Sequence, residues 1–180
     1  MTALHRFLKD DTGEAAIEFL LIFPILFTLF TASFESSMFM SRYVMFERAV
    51  DLTVRQLRLG TFANPTHQNI KRTICRSGMM IEDLTTCVNS MKIWMQPVNT
   101  ADFNMAAPPK SCVDRSQPVN TDEPPGNEFA TGTDNDIMLM RICMKADPMF
   151  PTTAVSVKMP VEPDGSYVML VTTTFVNEPG

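Results

Sequence analysis

The stretch Asp11-Thr12-Gly13-Glu14-Ala15-Ala16-Ile17-Glu18-Phe19-Leu20-Leu21-Ile22-Phe23-Pro24-Ile25-Leu26-Phe27-Thr28-Leu29-Phe30-Thr31-Ala32-Ser33 decides how the rest of the chain is read. From Phe19 to Ala32 only Pro24, Thr28 and Thr31 interrupt the apolar run. With Ala15, Ala16 and Ile17 added, the segment approaches the roughly 20 residues that span a hydrocarbon core. A secretory signal peptide would also carry an apolar core, usually of about 7–15 residues, followed by small residues at a cut site. Thr31-Ala32-Ser33 could serve as such a site, but the helical pattern runs on through it.

Phe39, Tyr43, Phe46, Val50, Val54 and Leu57 recur at spacings of three and four, which is one face of a helix. Arg48, Asp51, Arg55 and Arg58 fall on the opposite face, with Asp51 and Arg55 an i, i+4 pair. Gly60 supplies a stop and Asn64-Pro65 follows. Residues 14–59 therefore predict one helix about 70 Å long at a rise of about 1.5 Å per residue. Its first half is apolar all round and its second half is amphipathic. Pro24 would bend the first half, which membrane helices tolerate.

The remaining 120 or so residues predict one domain beyond that anchor. The formal net charge of −5 leaves no basic footprint for nucleic acid. All four cysteines, Cys75, Cys87, Cys112 and Cys143, lie beyond the apolar block. That placement points to two disulfides in an oxidising compartment, and so to a domain on the outer side of the membrane. Three pairings are possible and spacing alone does not choose. We favour Cys75–Cys87 with Cys112–Cys143, which would pin the loop carrying Cys112 to a strand.

Thr66 to Arg76 predicts a short helix, capped by Thr66, ended by Gly78, and burying Ile70 and Ile74. Residues 91–96 alternate as a strand that Pro97 ends. Residues 97–135 hold six prolines and little apolar periodicity, a long loop. Residues 137–145 and 167–176 predict two more strands, the second preceded by an Asp164-Gly165 turn. The connector from Asp147 to Pro163 is irregular, with an edge strand possible at 153–159. The fold class is α+β, a long helix packed on a small antiparallel sheet.

Catalytic chemistry finds little support. His5 and His67 are the two histidines, and His5 lies ahead of the apolar run. No His cluster, Gly-rich phosphate loop, serine motif or paired-cysteine metal spacing is present, so no catalytic residue, cofactor or metal ligand is expected. Met138, Met140 and Met144 are read as adaptable core filling, not copper ligands. Trp94 is expected in the sheet, and Asp134-Asn135-Asp136 as a turn.

Glu18 is the anomaly. A carboxylate inside a membrane segment is costly and points to function, unless it merely sits at the interface. A cut after Gly13 would make Glu14 the first residue and Glu18 the fifth, and would free an α-amino group that is largely protonated at neutral pH. Pairing with that amine on an axially shifted neighbour would offset the desolvation of Glu18.

A short polar leader ending in Gly13, Glu18 five residues on, and an apolar helix continuing as an amphipathic one resembles the type IV prepilins. The wording of residues 11–19 with Phe23-Pro24-Ile25-Leu26 is similar to the TadE-like proteins of the Tad (Flp, type IVc) pilus system. Residues 55–60, Cys75 and Cys87 flanking a short helical stretch, residues 136–141 and residues 173–179 look like that family too, although only the N-terminal motif is specific. The resemblance implies a pilin-like fold and a minor pilin (pseudopilin) without enzymatic activity. Its parts would be a prepilin leader at 1–13, a transmembrane helix at 14–33, its amphipathic continuation at 34–60, and an extracytoplasmic domain at 61–180. An aspartyl prepilin peptidase would cut between Gly13 and Glu14, and Glu18 would set the register of assembly. Implied partners are that peptidase, other pilin and pseudopilin subunits, the inner-membrane assembly platform and the lipid bilayer. The domain would lie in the periplasm, or on the extracellular pilus once incorporated. The alternative is an uncleaved, signal-anchored periplasmic binding or adhesion module.

Overall fold

The computed structural model describes residues 14–78, 83–101, 112–115, 128–151 and 161–178. Helix α1 spans Glu14–Arg58, 45 residues with Pro24 inside it. It ends as a left-handed cap. Gly60 takes φ 64°, its N–H reaches Leu57 O at 3.1 Å, and Thr61 N–H reaches Gln56 O at 3.1 Å. Those two bonds satisfy carbonyls that the helix end would otherwise orphan, and the positive φ suits a residue without Cβ.

The face expected to be buried is buried. Phe46, Val50 and Val54 are within the core, and Phe39, Tyr43 and Leu57 pack against it. Arg48, Asp51, Arg55 and Arg58 are exposed on the other side. None of the ion pairs among the described residues joins Asp51 to Arg55; Arg58 instead pairs with Glu178 at 2.8 Å.

Helix α2, His67–Ser77, starts at Thr66, whose side chain accepts the Asn69 N–H, and Gly78 N–H caps it on Ile74 O. A third helix, α3 at Leu84–Asn89, lies partly beyond the short helical stretch expected between Cys75 and Cys87 and carries Cys87 itself. Asp83 starts it by accepting the N–H groups of Thr85 and Thr86, both at 3.1 Å. Cys75 on α2 is bonded to Cys87 on α3, with Cα atoms 6.0 Å apart.

Strands β1 (Met91–Pro97), β2 (Ile137–Ala146) and β3 (Tyr167–Val176) form one antiparallel sheet in that order. Pro97, opposite Met138, is the last residue of β1, so the strand ends there as expected. A strand with a ladder neighbour on one side only has room for a residue that lacks an N–H. The register stacks like on like. Met91, Met144 and Met169 form one cross-strand row, and Ile93, Ile142 and Val171 the next. This face is buried, with Met138 and Met140 at 0% exposure, and α1 and α2 lie over it. The methionines therefore fill core. Trp94 points to the other face, opposite Arg141, and is also buried. Cys143, on that second face, is bonded to Cys112.

Residues 128–130 run beside β1, where Met95 N–H bonds Glu128 O and Ala130 N–H bonds Met95 O. Most of the Pro-rich loop, and the edge strand expected at 153–159, lie outside the described residues.

Candidate functional site

Two zones of α1 carry the features that no core needs. The first is residues 16–30, where every side chain is exposed. Leu20, Leu21 and Phe30 keep 69%, 67% and 68% of their surface, and the helix that holds them is long and apolar enough to cross a membrane. Phe19, Phe23 and Phe27 stack at successive turns, centroids 5.1 and 5.8 Å apart. Thr28, Thr31 and Ser33 return their hydroxyl protons to backbone carbonyls three or four residues back, which leaves no free donor on an apolar surface.

Gly13 lies outside the described residues, and Glu14 is the first described residue of α1. Glu18 stands one turn further on, exposed among apolar neighbours, with no hydrogen-bond partner among the described residues. Glu14 and Glu18 are four residues apart and so share one side of the helix.

The second zone is the foot of the domain. Glu35 is 2% exposed. Its two carboxylate oxygens accept the backbone N–H groups of Met149 at 3.1 Å and Phe150 at 2.9 Å. Two turns along the same side, Arg42 donates to Asp147 O at 3.1 Å, and Arg115 holds the Asp147 carboxylate at 2.6 Å. Phe39 meets Tyr167 edge-on, and Tyr43 donates to Leu170 O at 2.8 Å. The Tyr167 hydroxyl is pushed up to about 12 by burial first and then by the Glu35 charge. Sequence reasoning did not single out Glu35. The signal was present: extending the buried stripe backward from Phe39 by four residues reaches Glu35, and by four more reaches Thr31, also buried.

Four further ionisable groups are perturbed. His67, edge-on to Phe129, is pulled down to about 4, by burial and then by the Lys71 charge. Lys71, 7% exposed on the inner side of α2, is pulled down to about 8 by burial and then by Lys92. Asp164, in the turn before β3, is held well below the usual carboxylate range by the Ser166 hydroxyl at 2.6 Å and by Lys145 at 2.9 Å. Asp136 accepts the Thr133 N–H and hydroxyl, which fixes the turn into β2 and lowers its carboxyl. A cavity of about 280 Å³ opens where α1, the Cys75–Cys87 bridge and the end of β2 meet, floored by Phe46, Met91 and Met169. None of these groups converges on it as a nucleophile with a base. The basic side chains at its rim, Arg42, Arg115 and Lys145, are already engaged as above.

The exposed apolar half-helix opening at Glu14, and not a pocket, is thus the feature with unfulfilled valence. Comparison of the whole chain with curated proteins and with solved structures gave no match. A family model described as TadE-like protein matches residues 13–55, from the residue before α1 to its last turn. Over that segment, about a quarter of its length, the chain is similar to TadE-like proteins.

Proposed function

We propose that the protein is a minor pilin (pseudopilin) that takes part in assembling or priming a Tad pilus. A prepilin peptidase removes residues 1–13, and residues 14–33 anchor the mature subunit in the inner membrane. Residues 34–60 carry the domain of 61–180 on the periplasmic side. The supporting observation is that the family match begins at Gly13 and that the one carboxylate among residues 16–30 stands five residues on, at Glu18, exposed in an otherwise apolar helical run. Cleavage would place a protonated α-amino group at the head of the helix, where a neighbouring subunit's Glu18 can compensate it. Its role is structural: subunits pack by their apolar helices, and the paired charges fix how far one slides past the next.

Intact-mass measurement of the membrane-extracted chain, with and without the peptidase, tests the reading. A mature mass beginning at Glu14 is expected only when the peptidase is present. Gly13→Ala should keep Met1, whereas Glu18→Ala should still be cut yet enter few or no filaments. A chain that begins at Met1 under both conditions is an uncleaved signal-anchored binding or adhesion module, and overturns the proposal. So does a chain that begins after Ser33.

A further inference from the structure

The segment Asp147-Pro148-Met149-Phe150-Pro151 is fixed against α1, yet it turns its large side chains outward. Met149 and Phe150 keep 46% and 36% of their surface exposed, although Glu35 and Arg42 hold the backbone beneath them. The tip also offers no loose donor. Pro148 and Pro151 have no N–H, and the two N–H groups between them are both taken by Glu35. In water that arrangement brings little, because solvent would serve the same donors. At the edge of a bilayer it matters, since an unsatisfied backbone group there finds no water to bond.

The position along α1 agrees. Glu14 to Phe34 is 20 residues, or roughly 30 Å of helix, the thickness of a hydrocarbon core. The Phe150 ring meets Phe34 edge-on at 6.2 Å, and Phe34 stacks on Phe30 at 6.4 Å. The apolar surface of the span therefore continues without a gap onto the tip. Taking Glu18 as the inner boundary instead moves the outer one about 6 Å further, to near Met38, and sets the tip deeper.

We infer that Met149 and Phe150 are a second membrane contact, inserted at the headgroup–acyl boundary beside α1. The domain is then seated on the lipid surface at two points. Glu35 is the residue that makes the tip compatible with lipid, by accepting its only two donors. The inference needs α1 to cross the bilayer, but neither the cut after Gly13 nor assembly into a pilus.

Spin-label accessibility on the full chain tests it. The described cysteines are all paired, so Met149→Cys adds one labelling site. Leu26→Cys in the span and Asp134→Cys in an exposed turn serve as the lipid and water references. Each variant is reconstituted in vesicles of phosphatidylethanolamine with a minority of phosphatidylglycerol. Collision with oxygen is then compared with collision with a water-soluble nickel chelate. The oxygen-to-nickel ratio at position 149 should be several-fold above that at 134 and close to that at 26. Adding Glu35→Ala should bring it down toward the water reference. A ratio at 149 equal to that at 134 overturns the inference, as does a label shielded from both reagents, which would mean a protein partner. A water-like ratio at position 26 removes the span itself, and the inference with it. Cleavage results are untouched by any of these outcomes.

Discussion

The two halves of α1 are one continuous helix built for two different surroundings. Residues 16–30 leave every side chain exposed, whereas Phe46, Ala49, Val50 and Val54 are 9% exposed or less. Local propensity does not separate them, since both are rich in residues that helices accept. What differs is how the helix is made stable. The second half gains from burying one stripe against α2 and β3. Among the described residues, the first half buries nothing within the chain. It is expected to persist because a bilayer forbids any backbone that cannot bond itself.

The largest test of that contrast is a matched pair of truncations. Phe46→Ala should lower domain stability by about 3–5 kcal/mol. Phe23→Ala should change it by less than about 0.5 kcal/mol. Urea unfolding in mild detergent, followed by the fluorescence of buried Trp94, reads both. Equal losses would show that the halves are energetically one unit.

Disulfide removal sharpens the comparison. Cys112 and Cys143 are separated by 31 residues and Cys75 and Cys87 by 12. Loop-closure entropy then assigns about 3.7 kcal/mol to the first and about 2.8 kcal/mol to the second. Paired Cys→Ser variants should lose stability in that order, while hydrogen exchange of amides in residues 16–30 stays as slow as before. The smallest effect is that of acid. His67 is held near 4 when folded against an ordinary 6.5, so the folded state favours the neutral ring. The unfolded chain binds the extra proton across that window, and stability falls as pH drops from about 6.5 to 4. Screening at this half-buried site leaves roughly 1–2 kcal/mol of the effect. His67→Gln should flatten that limb of the pH profile and leave the steeper loss below pH 4, where Asp164 and Asp136 take up protons.

How much of this was legible depended on how local the physics was. The 3.6-residue stripe on α1, the period-two strands and the Thr66 cap are written in neighbouring residues, and each was read to within a residue or two. Helix α3 was placed only in part because six residues, Leu84–Asn89, are too short for a period; Asp83 was its one sign. The Glu35 clamp escaped for a different reason. Its partners are 114 and 115 residues away, and a carboxylate that serves backbone N–H groups leaves no pattern in the sequence of those groups.

The tie between Arg58 and Glu178 has a practical corollary. Glu178 bonds Arg58 twice, through its own N–H to the carbonyl at 3.0 Å and through its carboxylate to the guanidinium at 2.8 Å. Residue 178 is thereby parked at the far pole of a rigid post, 24 residues or roughly 36 Å past Phe34. A fluorophore or affinity handle attached there would stand clear of the lipid headgroups, and its height above them would report directly whether that post stays upright.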